Sequence, residues 1–302
     1  MAGKWTSYDV AAESHDRLAV PTFFDQPARD LVAKLDLASA ASVLDIGTGS
    51  GVAAQHAAEV AVTSARVVGI DPSLEMLRIA RSHGLRCLAV AITPGLPFAN
   101  RTFDRVLASF VLSHIPSYED GLLDITRLLK PHGRLGVTCW GSIENEYRAF
   151  WQSLAERFVS KQILADSTRE ALPWEEWFTE PDHLANAFQA TGLIGVEVHR
   201  VVYTIHANIS DFLALREASL QARFMRQALS VSEWERFKET AAMEFHSRFT
   251  DPIDHTRDVL IAIGTRPSPR YSQAMRFKCT LEYPSRPIVR PMMNFEDFTN
   301  ED

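Results

Sequence analysis

Between residues 28 and 140, short β-branched runs alternate with stretches whose apolar positions recur every three to four residues, as in βαβ units around a parallel sheet. Five strands are predicted: 42–46 (SVLDI), 66–71 (RVVGID), 86–91, 104–110 (DRVLASF) and 134–140. Residues 52–62 are rich in alanine and form a helix after the first strand. Ser73 is placed to cap a helix running LEMLRIARSHG, which Gly84 stops. Ser117-Tyr118-Glu119-Asp120 has the form of a capping box, after which Leu122, Ile125 and Leu129 share a helical face. Lys130-Pro131-His132-Gly133 reads as the turn that ends this helix, and ITPGLPFANRT as a loop.

After Trp140 the texture becomes aromatic and helical. One amphipathic helix is predicted over 144–164, another over 181–191, and two more over 209–228 and 231–248. Strands are predicted over 196–205 (VEVHRVVYTI) and 256–264 (TRDVLIAIG). The expected fold is α/β: a Rossmann-like, doubly wound sheet of about seven strands, mostly parallel, with an inserted helical cap. The expected organisation is an N-terminal helical segment or flap (1–41), a core (42–140), the cap with the last strands of the sheet (141–265), and a C-terminal extension of low order (266–302). Periodicity is lost in that extension, which holds five of the 15 prolines and ends NFEDFTNED. Its two β-like runs, 277–283 and 288–292, are short.

Composition narrows the class. With 46% hydrophobic and 23% charged residues, the chain of 302 can bury a large core. A net charge of −7 gives no general electrostatic reason to bind nucleic acid or an anionic membrane surface. Cys87, Cys139 and Cys279 are far apart and form no CxxC pair, so neither a disulfide framework nor a metal site is expected. No run approaches the ~18 apolar residues of a membrane span, and the first twenty residues lack a secretory apolar core. The expectation is a soluble, cytoplasmic protein.

The candidate chemistry begins where the first strand ends. Leu44-Asp45-Ile46 runs into Gly47-Thr48-Gly49-Ser50-Gly51 directly before a helix, and such a turn lets a ligand approach where a Cβ would block it. Asp71 closes the second strand about 20 residues further on, where an acid accepts hydrogen bonds from ribose hydroxyls. From Gly49 the turn also fits G-x-G-x-x-A, so spacing leaves NAD or FAD open. Asp45 argues against both: a carboxylate aimed at the turn repels a pyrophosphate but suits a ligand bearing an ammonium there. S-adenosylmethionine (SAM) has that ammonium and no phosphate.

DIGTGSG at 45–51, VGIDPSLEML at 68–77, LPFANRTFDRV at 96–106 and LLKPHGRL at 128–135 resemble, in order, the motifs of class I SAM-dependent methyltransferases, closest to the ubiquinone- and menaquinone-biosynthesis branch. The resemblance covers 42–140 clearly and the later elements loosely. It implies that Asp45, Gly47, Thr48, Gly49 and Gly51 surround the methionine end of SAM and that Asp71 binds the ribose. It also implies that Pro72 and Met76 lie against the adenine, that Ala91, Ile92 and Thr93 line its other edge, and that Ser109 and Phe110 lie beneath the cofactor. Three positions depart from the family. Ile92 and Thr93 stand where an acid commonly meets the adenine amino group, and His132 replaces the first of two glycines after Lys-Pro.

Methyl transfer from a sulfonium needs proximity, orientation and exclusion of water more than a dedicated catalytic group. A base is required only if the acceptor must lose a proton. His114, after the fourth strand, is the candidate, with His15 second; the blander role for His114 is a hydrogen bond to loop backbone. Trp5 and Tyr8 are candidates for a flap, or for packing anchors. Trp151, Trp174, Trp177, Phe178, Phe188, Phe212, Phe224, Trp234 and Phe237 are mostly expected to be core, while suggesting a hydrophobic acceptor. Arg216, Arg223 and Arg226 fall on one predicted helix in the manner of a solvated face. The resulting expectation is SAM-dependent transfer to O, C or N of a small, hydrophobic molecule, without nucleic-acid or membrane partners. The alternatives are a SAM-fold binding protein without methyl transfer, and an NAD(P)-linked oxidoreductase.

Overall fold

Among residues 5–268, which the computed structural model describes, seven strands form one sheet in the order β3-β2-β1-β4-β5-β7-β6. They are β1 (Ser42–Ile46), β2 (Arg66–Asp71), β3 (Leu88–Val90), β4 (Phe103–Ser109), β5 (Leu129–Trp140), β6 (Ile194–Ala207) and β7 (Ile253–Thr265). The first five run parallel, and β7 is antiparallel to both β5 and β6. The order reverses at β1, between β2 and β4, so the crevice at the carboxyl ends of these strands is the place where open α/β sheets take ligands.

Alternation along the strands divides the interior. Leu44, Val106, Val137 and Leu260 face one apolar core, under α4 (Tyr118–Arg127) and α7 (Pro181–Ala190). Val43, Leu107, Val259 and Ile261 face the other, under α1 (Asp25–Leu35) and α2 (Val52–Val60). Between α2 and α4 lies α3 (Leu74–Ser82), whose N-cap Ser73 accepts from Met76 N. A third core belongs to the cap and joins Trp151, Phe212, Trp234 and Phe237. Phe178 and Phe188 pack in the sheet core instead, and Trp177 stacks on His183 with ring centroids 3.6 Å apart.

Several element boundaries are corrected. The single helix expected over 144–164 is two, α5 (Glu146–Ala155) and α6 (Lys161–Ala171), because Ser160 caps a new start by accepting from Ile163 N at 3.3 Å. The helix expected over 209–228 is also two, α8 (Ile209–Glu217) and α9 (Leu220–Ala228), with Ser219 accepting from Ala222 N at 3.3 Å. α10 (Val231–Arg248) has its expected bounds. Lys130-Pro131-His132-Gly133 is not a turn outside the sheet: β5 already starts at Leu129. Phe103 faces Leu129 and Arg105 faces Arg134, so the intervening residues bulge, with His132 at φ 64°. Arg266 fixes the bulge. Its backbone N–H donates to Gly133 O at 2.8 Å, its carbonyl accepts from His132 N at 2.9 Å, and its guanidinium donates to the carbonyls of Thr126, Arg127 and Leu129. Arg266 thus continues β7 alongside the start of β5 and belongs with the sheet. The runs 277–283 and 288–292 and Cys279 lie outside the described residues.

N-terminal to the sheet, a helical stretch runs from Asp9 through a π-helical segment, His15–Phe24, into α1. No helix among the described residues is long and apolar enough to cross a membrane.

Candidate active site

Three glycines with positive φ, Gly47 at 63°, Gly49 at 56° and Gly51 at 97°, turn the chain from β1 into α2. At Gly51 the φ of 97° is what favours glycine, and a Cβ there would also press on Leu85 Cδ1 at 2.4 Å and Ala80 Cβ at 3.2 Å. At Gly49 a Cβ would meet nothing within 4 Å, which leaves the outer face of the turn open to a ligand.

Asp45 lies beneath that turn and is only 1% exposed. Its Oδ2 accepts from Thr48 Oγ1 at 2.7 Å, whereas its Oδ1 is buried without a partner among the described residues. Burial pushes the carboxyl up to about 7, with the Thr48 bond and the backbone N–H of Ala54 opposing and the nearby Asp71 adding. Asp71 is held by backbone: Gly49 N donates to Oδ2 at 2.9 Å and Ser73 N to Oδ1 at 2.8 Å. Each oxygen retains a second lone pair for a hydroxyl donor. Burial raises this carboxyl as well. Asp9, which no local motif in the sequence marks, secures the rim, its Oδ1 accepting from Ser73 Oγ at 2.6 Å and from Glu75 N at 3.2 Å.

Elsewhere on the rim, Met76 is buried and Pro72 exposed. Ile92 is 66% exposed, while Thr93 is buried with its hydroxyl unpartnered among the described residues. The structure therefore brings Thr93, and not Ile92, inward. Ser109 Oγ and Thr138 Oγ1 are 3.0 Å apart at the end of β4, and Phe110 follows at φ 57°, a left-handed conformation that is costly for an aromatic residue. Its ring centroid lies 4.2 Å from that of Trp140 and 5.0 Å from that of Phe24. Trp140 and Phe24 join the site without having been singled out, although Trp140 ends the fifth strand at the same edge.

Tyr8 and His15 of the N-terminal stretch meet the distant His114 over this edge. Tyr8 OH lies 3.5 Å from His114 Nε2, the hydrogen-bond partner of that ring among the described residues, so the expected loop-backbone bond is replaced. The Tyr8 ring meets those of His15 and His114 edge-on, with centroids 5.9 and 5.5 Å apart. From the cap, Arg223 Cζ sits 5.2 Å from the Tyr8 ring and Nη1 donates to Ser7 O at 2.6 Å. Burial drives both histidines down to about 4, and Arg223 acts in the same direction on each. Trp5 packs edge-on against Phe224 of the cap.

A family model described as a methyltransferase domain matches residues 44–137. The chain is 33% identical to a demethylmenaquinone methyltransferase of Tropheryma whipplei (strain Twist), over 61% of this chain and 81% of that one. It is 30% identical to a malonyl-[acyl-carrier protein] O-methyltransferase of Pseudescherichia vulneris, over 59% and 71% of the two chains. Among solved structures, that of a putative methyltransferase from Bacillus halodurans C-125 aligns with a TM-score of 0.51 at 16% identity, covering 80% of this chain and all of that one, which is a likeness of fold. With the glycine turn, the buried acid beneath it and the second acid at its rim, these matches place the chain among the class I SAM-dependent methyltransferases.

Proposed function

We propose that Asp45, Gly49 and Asp71 hold SAM for transfer of its methyl group to a small acceptor lodged between the carboxyl edge of the sheet and the cap. The observation that carries this reading is the unpartnered Oδ1 of Asp45, whose other oxygen holds Thr48 of the turn that leaves Gly49 open. A buried carboxylate oxygen without a donor is costly, and an ammonium group supplies both charge and hydrogen bond. Asp71 offers its remaining lone pairs to the ribose, and the Thr93 hydroxyl fits an adenine edge in place of the family's acid. The donor supplies a methyl already activated by the sulfonium charge. What the chain adds is position, through the turn and the Phe110–Trp140 pair, and exclusion of water by the N-terminal stretch and the cap. The two relatives named above carry names of methyltransferases with unlike acceptors, which supports a shared donor site with a separate acceptor pocket. The acceptor atom, O, C or N, follows from that pocket. An NAD(P)-linked activity is disfavoured because a pyrophosphate would meet the Asp45 carboxylate.

Calorimetric titration of the full chain with SAM, S-adenosylhomocysteine (SAH) and NADH tests the assignment. SAM and SAH should bind and NADH should not; Asp45→Ala should abolish SAM binding, and Asp71→Ala should weaken it about tenfold or more. NADH binding without SAM binding would sink the reading. Tight SAM binding without turnover across a broad acceptor panel would favour a SAM-binding protein that transfers no methyl.

A further inference from the structure

The two cap helices that replace the expected single one turn Arg216 and Arg223 inward and leave Arg226 exposed. That overturns the solvated-face expectation for the first two and leaves Arg216 near two further half-buried arginines, Arg148 and Arg257. β7 pairs with β5 only as far as Val259 opposite Trp140. Residues 253–258 pair with β6 alone and pass beyond the carboxyl end of β5, so His255 and Arg257 stand over the edge that holds the donor site.

There Arg257 Cζ stacks 3.9 Å from the centroid of a Trp140 ring and 6.0 Å from that of Phe23. Trp140 is the same residue that packs on Phe110, so the guanidinium is one ring removed from the end of β4. Arg216 Cζ lies 5.6 Å from the Trp151 ring; its Nη2 reaches Gln221 Oε1 at 3.5 Å, and its Nε is buried without a partner among the described residues. His255 is 2% exposed and ringed by Phe23, Tyr147 and Phe212 at 6.0, 6.4 and 5.2 Å, with both ring nitrogens unpartnered among the described residues. Arg148, next to Tyr147, completes the group.

Among the described residues, none of Arg148, Arg216 and Arg257 forms an ion pair. Their neighbouring acids are Glu175, Asp258 and, for Arg148, Glu144. Asp258 is committed elsewhere, to Arg200 and to Ile143 N, the latter at 3.0 Å, and Glu144 is exposed. That leaves Glu175, itself raised by burial although all three arginines pull it down. Burial and mutual repulsion lower the proton affinity of the arginines, that of Arg216 to about 9. Several enclosed guanidiniums sharing one carboxylate are electrostatically unfavourable in the ligand-free chain, and an incoming anion offsets that. A guanidinium held over an indole, as that of Arg257 is over Trp140, needs no carboxylate partner to be placed and has N–H donors to offer a carboxylate or phosphate fork.

We propose that the methyl acceptor bears an anionic group, a carboxylate or a phosphate, that docks on Arg257, Arg216 and Arg148 while its apolar body lies against Trp140 and Phe23. The inference rests on the donor-site assignment above. It also reconciles the aromatic richness of the cap with its buried charge.

The test is calorimetric titration of the SAH-loaded full chain with benzoate, phenyl phosphate and benzamide, probes that share a ring and differ in charge and headgroup. At least one anion should bind about tenfold or more tightly than benzamide, and the stronger of the two identifies the headgroup. Arg257→Gln and Arg216→Gln should each remove about tenfold of that affinity, Arg257→Lys should recover part of it, and SAH affinity should be unchanged, which also shows the variants to be folded. Equal binding of benzamide, no measurable anion binding, or an anion preference untouched by the substitutions overturns the proposal. Loss of SAH affinity in parallel with anion affinity also overturns it, by giving the arginines to the cofactor's own carboxylate. Failure of the wild-type chain to bind SAH is a separate result that removes the donor site itself.

Discussion

A single buried oxygen, Oδ1 of Asp45, makes the donor site sensitive to pH. With its carboxyl raised to about 7, the folded chain between the ordinary carboxylate range and neutrality keeps a proton that the unfolded chain has released. The group therefore leaves stability untouched at low pH and lowers it increasingly as pH rises toward about 7, in the absence of ligand. Binding an ammonium reverses the preference, since only the carboxylate suits it. SAM affinity should weaken about tenfold for each pH unit below about 7 and flatten near neutrality, and Asp45→Asn should abolish that dependence along with most of the affinity. Titrations between about pH 5.5 and about pH 7.5 decide it; a flat wild-type profile excludes Asp45 as the ammonium partner. Asp45 was legible because a carboxylate before a glycine turn is a local pattern. The conformation of His132 was not: the family's glycine there points to a left-handed position, and the chain keeps φ 64° with a side chain that the exposed bulge accommodates.

Helix starts show why the sheet half of the chain was easier to derive than the cap. In β1 to β4 the short β-branched runs, the glycine turn and the Ser73 and Ser117 caps are all short-range signals, and α3 and α4 start where these serines put them. In the cap, neither 144–171 nor 209–228 contains a glycine or proline, so the apolar period runs on through the breaks at Ser160 and Ser219. A serine alone does not mark a break, because Ser153 and Ser167 sit inside helices and donate to the carbonyls of Phe150 and Leu164. The early start of β5 was hidden for another reason: it depends on Arg266, far along the chain. The expected start of α10 at Val231 is fixed by a complete capping box, Glu233 N donating to Ser230 Oγ at 3.3 Å and Ser230 N to Glu233 Oε2 at 2.9 Å. Ser230→Ala should cost about 1 kcal/mol in chemical denaturation and leave SAM affinity unchanged, since α10 builds the cap core and does not reach the glycine turn. A loss of SAM affinity at full occupancy of the folded state would show that the cap core and donor site are coupled.

Across the whole molecule, three distant segments meet at one point: Tyr8 from the N-terminal stretch, His114 from the end of β4, and Arg223 from the cap. The N-terminal stretch is fastened on both sides, through Asp9 to Ser73 on the sheet half and through Ser7 to Arg223 on the cap. On the proposed reading this fastened stretch would shield the site from water, and the burial it shares with His114 sets the chemistry of that ring. Burial, with Arg223 and His15 acting in the same direction, brings that imidazole to about 4, so it is neutral across the physiological range and free to accept a proton. Arg223 thus stands in two relations, holding the closing segment and keeping the imidazole unprotonated. We propose that His114 takes the proton of an acceptor that must lose one. His114→Ala should then lower kcat about a hundredfold while SAM affinity, read by titration, stays at the wild-type value. A weak base acts only on an acidic acceptor or on one losing its proton as the methyl arrives, so the loss should be large for a phenol and small for a thiolate already ionised. An unchanged kcat with the phenol would remove His114 from proton transfer, leaving closure of the site and placement of the acceptor as the source of the rate.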